Sequence, residues 1–255
     1  MRLDFIPESL NRLKNPPKQL NFIGDTSLLS LPKIAVVGSR KASVYTKECV
    51  TALCAVLKSA NICVVSGGAI GVDIAAHKAA MPRTIGIFAS GLDTIYPSQN
   101  KAAIKEIYTK ALALSEYDEG EPPLAYRFLE RNRIVVGLCE ALVVAQADLK
   151  SGSMQSARLA NELKIPVYVL PQRMGESDGT IFLLANKKAE LIDDYHKFAS
   201  LFGEVEEQKI DDDVVKFCKD GISLDDALAK FGDIIYEYEL DGLIEISNLR
   251  VKSVL

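Results

Sequence analysis

Glycines and small hydroxyl residues follow several short apolar runs of this sequence, where they leave backbone N–H groups exposed. The two clearest groups are Gly38-Ser39-Arg40, after the run 33–37, and Ser66-Gly67-Gly68, after the run 62–65. A lone glycine turn would only reverse the chain direction. Repeated turns of this kind that lead into helices favour anion binding, because backbone N–H groups and helix N-termini attract phosphates.

Basic, amide and aromatic side chains lie close to these turns or open the next helices. They are Arg40, Lys41, Phe128, Arg131, Asn132, Arg133 and Lys150, and the last of these precedes the turn Ser151-Gly152-Ser153. Cations contact phosphates and an aromatic ring stacks on bases, which is the combination that a single nucleic-acid strand requires. Two other interpretations stay open: Phe128 also suits a core position, and the two helix arginines also suit a solvated helix face.

The sequence offers little for catalysis or for a cofactor. It has neither the G-x-G-x-x-G fingerprint of dinucleotide sites nor a Walker G-x-x-x-x-G-K-[ST] loop. His77 lies four residues after Asp73, so the two side chains can meet on one helix face. We expect a structural hydrogen bond there rather than an acid–base pair. The sequence therefore predicts no catalytic residue, no metal ligand and no cofactor.

These residues are positioned by a regular alternation of strands and helices. Strands are predicted at about 33–37, 62–65, 84–89, 111–115, 141–145 and 166–170, with a further short strand near 190–192. The intervening helices include one capped by Ser43, one capped by Ser153 and a short one capped by Asp178. Alternation of this kind predicts an α/β fold, an extended Rossmann-like parallel sheet with helices on both faces. All the glycine turns then meet at one sheet edge.

Charge and composition divide the chain into three parts. Residues 1–32 are rich in proline and predict an irregular arm packed on the main domain, which is the Rossmann-like domain 33–203. Residues 204–255 carry 14 acids and 6 bases, whereas residues 1–203 carry 20 acids and 24 bases. After a linker at about 204–213, three short helical patterns and a hairpin predict a small winged-helix-like C-terminal module.

The remaining features point to a cytoplasmic protein. No apolar run approaches the roughly 20 residues that a membrane helix needs, and the N-terminal segment lacks the apolar core of a signal peptide. The five cysteines are an odd number and four lie within apolar patterns, which is typical of reduced core residues.

Four ordered motifs make the chain similar to a known family, the DNA processing protein A family (DprA/Smf). The motifs cover about residues 15–192 and are 36–40 (VVGSR), 66–73 (SGGAIGVD) with His77, 128–134 (FLERNRI) and 151–157. The resemblance implies a homodimeric protein without known turnover that binds single-stranded DNA, protects it and loads the RecA recombinase on it during natural transformation. It also implies a DNA groove formed by the turns and side chains given above.

Two departures and two alternative functions accompany the resemblance. The family usually has Pro-Gly after the sixth predicted strand, where this chain has Pro171-Gln172, and the acidic C-terminal module leaves duplex binding open. One alternative is a LOG-like nucleotide phosphoribohydrolase, although its Pro-Gly-Gly-x-Gly-Thr-x-x-Glu stretch is missing from this sequence. The other is a mononucleotide sensor on the same scaffold.

Overall fold

The computed structural model describes residues 1–204 and 213–254. The chain forms two compact units, Met1–Glu206 and Glu207–Leu255, here called the main unit and the C-terminal unit. The predicted linker falls almost entirely outside the described residues. The domain limits expected from the sequence therefore stay predictions.

The main unit is built on one eight-stranded sheet with the order β1-β5-β4-β3-β2-β6-β7-β8. The strands are β1 (Asn21–Gly24), β2 (Lys33–Val37), β3 (Cys63–Ser66), β4 (Thr84–Phe88), β5 (Leu112–Ser115), β6 (Ala141–Val144), β7 (Val167–Val169) and β8 (Glu190–Leu191). All neighbours pair in parallel except β1, which pairs antiparallel with β5. From β2 the chain first builds one side of the sheet, through β3, β4 and β5, and then the other side, through β6, β7 and β8. The strand order therefore reverses beside β2, and in open α/β sheets such a point marks the ligand crevice.

Helices cover both faces of this sheet, as the sequence predicted. They are α1 (Val44–Ser59), α2 (Val72–Ala80), α3 (Lys101–Lys110), α4 (Ala125–Leu138), α5 (Gly152–Glu162), α6 (Asp178–Ala185) and α7 (Tyr195–Ser200). Alternate residues of β2 belong to different core clusters, because successive side chains of a strand point to opposite faces. Ala35 and Val37 pack with residues of α3, α4 and α5. Ile34 and Val36 pack with residues of α1, α2 and α7.

The helix starts test the predicted caps. Ser43 caps α1 as predicted, its side chain accepting a hydrogen bond from the backbone N–H of Thr46. The prediction of Ser153 as the cap of α5 is wrong. The extended residue is Ser151, whose hydroxyl accepts from the N–H of Met154 at 3.3 Å.

The N-terminal segment is more regular than its proline content suggested. Besides β1 it contains two 3₁₀ turns, Glu8–Arg12 and Thr26–Ser30. Leu10 and Leu20 are completely buried in the core cluster under α3, α4 and α5. Edge strand β1 was not predicted, because it is only four residues long and is held by its pairing with the distant strand β5.

Within residues 213–254, the C-terminal unit has three helices and a small antiparallel sheet with the order β10-β11-β9. These elements are α8 (Asp213–Cys218), β9 (Ile222–Ser223), α9 (Leu224–Phe231), α10 (Ile234–Leu240), β10 (Ile244–Ser247) and β11 (Arg250–Ser253). Ala227, Ile235 and Val251 are fully buried in its own core cluster. Its kinship with winged-helix domains stays a prediction. In the described part of the chain, no helix is both long and apolar enough to cross a membrane.

Candidate functional site

A cavity of about 740 Å³ opens at the carboxyl edge of the main sheet. Its walls are formed by the loops after β2, β3 and β6 and by the first halves of α4 and α5. Most of the residues singled out in the sequence line it: Gly38, Ser39, Arg40, Lys41, Gly67, Phe128, Arg131, Asn132, Ser151, Gly152 and Ser153. The expectation that these turns meet at one edge therefore agrees with the structure.

Four other residues from the sequence analysis lie beside the cavity rather than in its lining. The Ser66 hydroxyl is buried and donates to the Val36 carbonyl at 2.6 Å. The guanidinium of Arg133 forms an ion pair with Glu116. Gly68 is buried behind the turn, and Lys150 is exposed beside Ser151. Ser66 and Arg133 thus make contacts within the protein, which their residue types alone did not indicate.

The loop after β2 is fixed by two neighbouring elements. The Ser39 N–H donates to the Gln146 carbonyl at 2.8 Å, and the Ser39 carbonyl accepts from the Val72 N–H at 3.2 Å. Gly71 makes this approach possible, because a Cβ at that position would lie 2.2 Å from the Ser39 carbonyl oxygen. The rigid loop presents Arg40 to solvent at the cavity wall.

An arginine and two aromatic rings form a stack along one wall. The Arg40 Cζ lies 5.5 Å from the centre of the Phe128 ring. Tyr96 lies on the same ring, with 5.6 Å between centroids and 49° between planes. Phe128 is half-buried and lines the cavity, so it is not a closed core residue. Tyr96 was not predicted as a site residue, although its position in the loop after β4 placed it at the same sheet edge.

Beneath the cavity, a buried carboxylate and a buried arginine organise the turn after β3. Asp73 Oδ2 accepts hydrogen bonds from the N–H groups of Gly67 at 3.2 Å and Ala69 at 3.3 Å. Arg131 is 4% exposed and donates to the Ile87 carbonyl. Its guanidinium packs so closely on Gly67 that a Cβ there would lie 2.2 Å away. Arg131 therefore forms the cavity floor, whereas a solvated helix face was the alternative from sequence.

The charges of Asp73, Arg131 and Arg40 act on one another's surroundings, and the pKa values of Asp73 and Arg131 show their effect. Burial raises the pKa of Asp73, and the charge of Arg131 and the two N–H bonds oppose that shift. Burial lowers the pKa of Arg131 to about 10; Asp73 opposes this shift, while the charge of Arg40 adds to it. Arg131 thus stays protonated at neutral pH, and two positive guanidinium groups border the same cavity.

His77 takes a structural role, but with a different partner from the one expected. Its Nδ1 lies 2.7 Å from the Thr84 Oγ1, and that hydroxyl donates to the Val64 carbonyl at 2.8 Å. Burial, together with the charge of Arg131, lowers the pKa of His77 to about 3. The imidazole is therefore neutral at physiological pH. The partner of His77 is Thr84 rather than Asp73, which corrects the pairing predicted from their spacing.

The first turn of α5 completes the wall opposite the aromatic stack. Ser151, Gly152 and Ser153 line the cavity there, and the partial positive charge of a helix N-terminus attracts anions. Among residues 1–204 and 213–254, no group of three or more His, Cys, Asp or Glu side chains is arranged to hold a metal ion. The cavity thus combines guanidinium groups, aromatic rings and a helix N-terminus.

Comparison with known proteins agrees with the motif analysis. The sequence model of DNA recombination-mediator protein A matches residues 3–203. The chain belongs to this family. The resemblance to DprA/Smf proteins drawn from the motifs is thereby confirmed.

Curated relatives match most of this chain. DNA processing protein DprA of Streptococcus pneumoniae is 39% identical over 186 residues, which is 71% of this chain and 66% of that protein. Protein Smf of Synechocystis is 32% identical over 218 residues, 80% of this chain and 55% of that protein. The chain thus matches only about half to two thirds of the length of these relatives.

Two solved structures share the fold. DNA processing protein A from Helicobacter pylori, described with its single-stranded DNA binding mode, superposes with a TM-score of 0.77 at 44% identity, covering 79% of this chain and 94% of that chain. DprA from Streptococcus pneumoniae superposes with a TM-score of 0.73 at 36% identity, covering 80% of this chain and 73% of that chain.

Proposed function

We propose that this protein binds single-stranded DNA in the cavity at the carboxyl edge of its main sheet. The observation that carries the proposal is the stack of Arg40, Phe128 and Tyr96 in the cavity wall, opposite the first turn of α5. Guanidinium groups and helix N–H groups contact phosphates, and the aromatic rings offer a face to an unpaired base. In duplex DNA the bases are stacked on one another, so their faces cannot reach these rings.

The family supports the same activity. The Helicobacter pylori relative, whose structure covers 79% of this chain, is described with its single-stranded DNA binding mode. The residues that we assign to DNA contact are those that line the cavity, with Lys150 at its rim. Ser66, Gly68 and Arg133 support the turn and α4 from behind.

Titrations with labelled single-stranded and duplex DNA at two salt concentrations test this assignment. Phe128→Ala should cost about 1–3 kcal/mol of single-strand binding free energy, because it removes a stacking face. Arg40→Ala should weaken binding and reduce the slope of log K against log salt by about one. Tyr236→Ala and Lys164→Ala, which change exposed residues outside the cavity, are the matched controls. Unchanged affinity in both cavity variants would refute the assignment.

A mononucleotide sensor would give a different result in the same assay. It would bind a nucleoside monophosphate tightly and a longer strand weakly. A LOG-like hydrolase would instead release free base from the nucleoside monophosphate. We propose that the protein does not catalyse this hydrolysis, since Asp73 and His77 are already bonded within the fold.

The wider role that we propose is that of a cytoplasmic homodimer that protects incoming single strands and loads RecA on them during natural transformation. This extension is supported by family membership and by the single-strand chemistry of the cavity. It predicts that the protein raises the rate of RecA filament formation on a strand already coated with single-strand-binding protein. Arg40→Ala should lose this stimulation in parallel with its loss of DNA affinity.

A further inference from the structure

Two glutamine side chains connect the loop after β7 to the start of α1. Gln172 donates its amide to the Thr46 hydroxyl at 3.1 Å. Gln146 accepts from the Ser43 N–H at 3.0 Å through Oε1 and donates to the Glu176 carbonyl at 3.0 Å through Nε2. Gln172 stands where the family usually has glycine, so this chain gains a side-chain bond that glycine cannot make. The loop and the helix start therefore form one continuous surface.

That surface adjoins the cavity. The Gln146 carbonyl accepts the Ser39 N–H at 2.8 Å, and Ser39 and Lys41 line the cavity wall. Lys41 is exposed and lies four residues before Tyr45, at the start of α1. A strand that leaves the cavity on this side meets Lys41 first and Tyr45 next.

Tyr45 has the properties of a stacking platform. Tyr45 is 39% exposed and lies in the first turn of α1, directly before Thr46, whose hydroxyl is bonded to Gln172. The exposed Arg173 directly follows Gln172, so the bond between Gln172 and Thr46 brings it to the same surface as Tyr45, and Met174 beside it is 87% exposed. An exposed ring, an exposed apolar side chain and an arginine therefore lie together outside the cavity.

We propose that a single strand extends from the cavity over Lys41, stacks a base on Tyr45 and places a phosphate against Arg173. This inference rests on the proposed function and adds a second contact region to it. Charge complementarity supports this occupant, because the exposed Lys41 and Arg173 belong to the same surface as the ring. Glu176 lies in the same loop, its N–H bonded to the Arg173 carbonyl at 3.1 Å, and its carboxylate opposes the phosphate. Its negative charge makes a distinctive test possible.

Strand length separates the two contact regions. We would measure binding of oligonucleotides of about four and about twelve nucleotides, the shorter one filling the cavity alone. For the longer strand, Tyr45→Ala should weaken binding about ten-fold, whereas Tyr45→Phe keeps the ring and should retain most of the affinity. Arg173→Ala should reduce the salt slope by about one, and Glu176→Gln should raise the affinity. For the shorter strand, none of these changes should matter.

The outcomes are distinguishable. If the wild-type protein binds both lengths and Tyr45→Ala changes neither, the second contact region is refuted while the proposed function stands. If Tyr45→Ala weakens both lengths equally, the effect is structural and the inference is also refuted. If neither length binds to the wild-type protein, the proposed function itself fails. Tyr236→Ala, at a similarly exposed tyrosine of the C-terminal unit, should leave both affinities unchanged.

Discussion

At the scale of single residues, the turn after β3 shows how a buried charge can shape a binding wall. An isolated buried guanidinium is costly, and it persists only where a carboxylate or carbonyl compensates it. Arg131 has the Ile87 carbonyl as its acceptor and the charge of Asp73 nearby, and Asp73 in turn holds two backbone N–H groups. Gly67 leaves the room that the guanidinium fills. Asp73 and Arg131 therefore fix the turn after β3 from the buried side of the cavity.

The glycine before α2 gives a clean residue-scale prediction. Gly71 and Gly120 have similar φ angles, 87° and 83°, but of the two only Gly71 would bring a Cβ against the backbone, 2.2 Å from the Ser39 carbonyl oxygen. Gly120→Ala should cost about 1 kcal/mol of unfolding free energy from the left-handed φ alone. Gly71→Ala should cost at least about 2 kcal/mol more, because the loop after β2 must move. Unfolding in guanidinium chloride measures the free energy of unfolding of both variants. Equal losses in the two variants would contradict the close approach of Gly71 to the Ser39 carbonyl.

His77 predicts a pH dependence of stability. Its pKa falls from 6.5 to about 3 on burial, so the unfolded chain binds a proton that the folded chain rejects. The stabilising contribution is complete above the unfolded pKa and is lost as pH decreases below it. Between the unfolded pKa of 6.5 and pH 5 the loss should be about 2 kcal/mol.

Two measurements check this. Unfolding free energies at pH 7, 6 and 5 should decline, and the decline should be smaller in His77→Gln. If that variant does not fold, NMR of the wild-type protein decides instead. The His77 ring signals should not move with pH in this range. A ring that titrates near its ordinary value would contradict the burial.

At the scale of elements, the buried strands and amphipathic helices were predictable, because apolar runs and a 3.6-residue period appear directly in the sequence. Strand β2 and helix α1 begin and end almost where expected. Strand β1 was missed because its stability comes from pairing with β5, a contact across 90 residues that local pattern does not encode. For the same reason, the sequence placed Phe128 at the site but could not distinguish its wall position from a core position.

The start of α5 shows what a local sequence pattern cannot decide, and it also gives a prediction. Ser151 and Ser153 are equally good cap residues by type, and only the backbone decides between them. Since Ser151 accepts the Met154 N–H, Ser151→Ala should lower the unfolding free energy by about 1 kcal/mol. Ser153→Ala is the matched control and should cost much less. Denaturant unfolding of both variants provides the comparison. A larger loss of unfolding free energy in Ser153→Ala than in Ser151→Ala would support Ser153 as the cap, as predicted from the sequence.

At the scale of the whole molecule, charge and family match divide the chain at nearly the same place. The family model ends at residue 203, and the net charge changes from +4 in residues 1–203 to −8 in residues 204–255. The negative charge of this protein is therefore concentrated in residues 204–255, outside the part that the family model matches.

This division predicts the behaviour of a chain that ends after residue 203. At low salt it should bind single-stranded DNA at least as tightly as the full chain, because eight net negative charges are removed. The difference should shrink as salt rises from about 0.05 M to about 0.2 M, since screening weakens long-range repulsion. Anisotropy titrations of both chains over this range measure it. Weaker binding by the shortened chain at every salt concentration would show instead that residues 204–255 contribute contacts to DNA, despite their acidity.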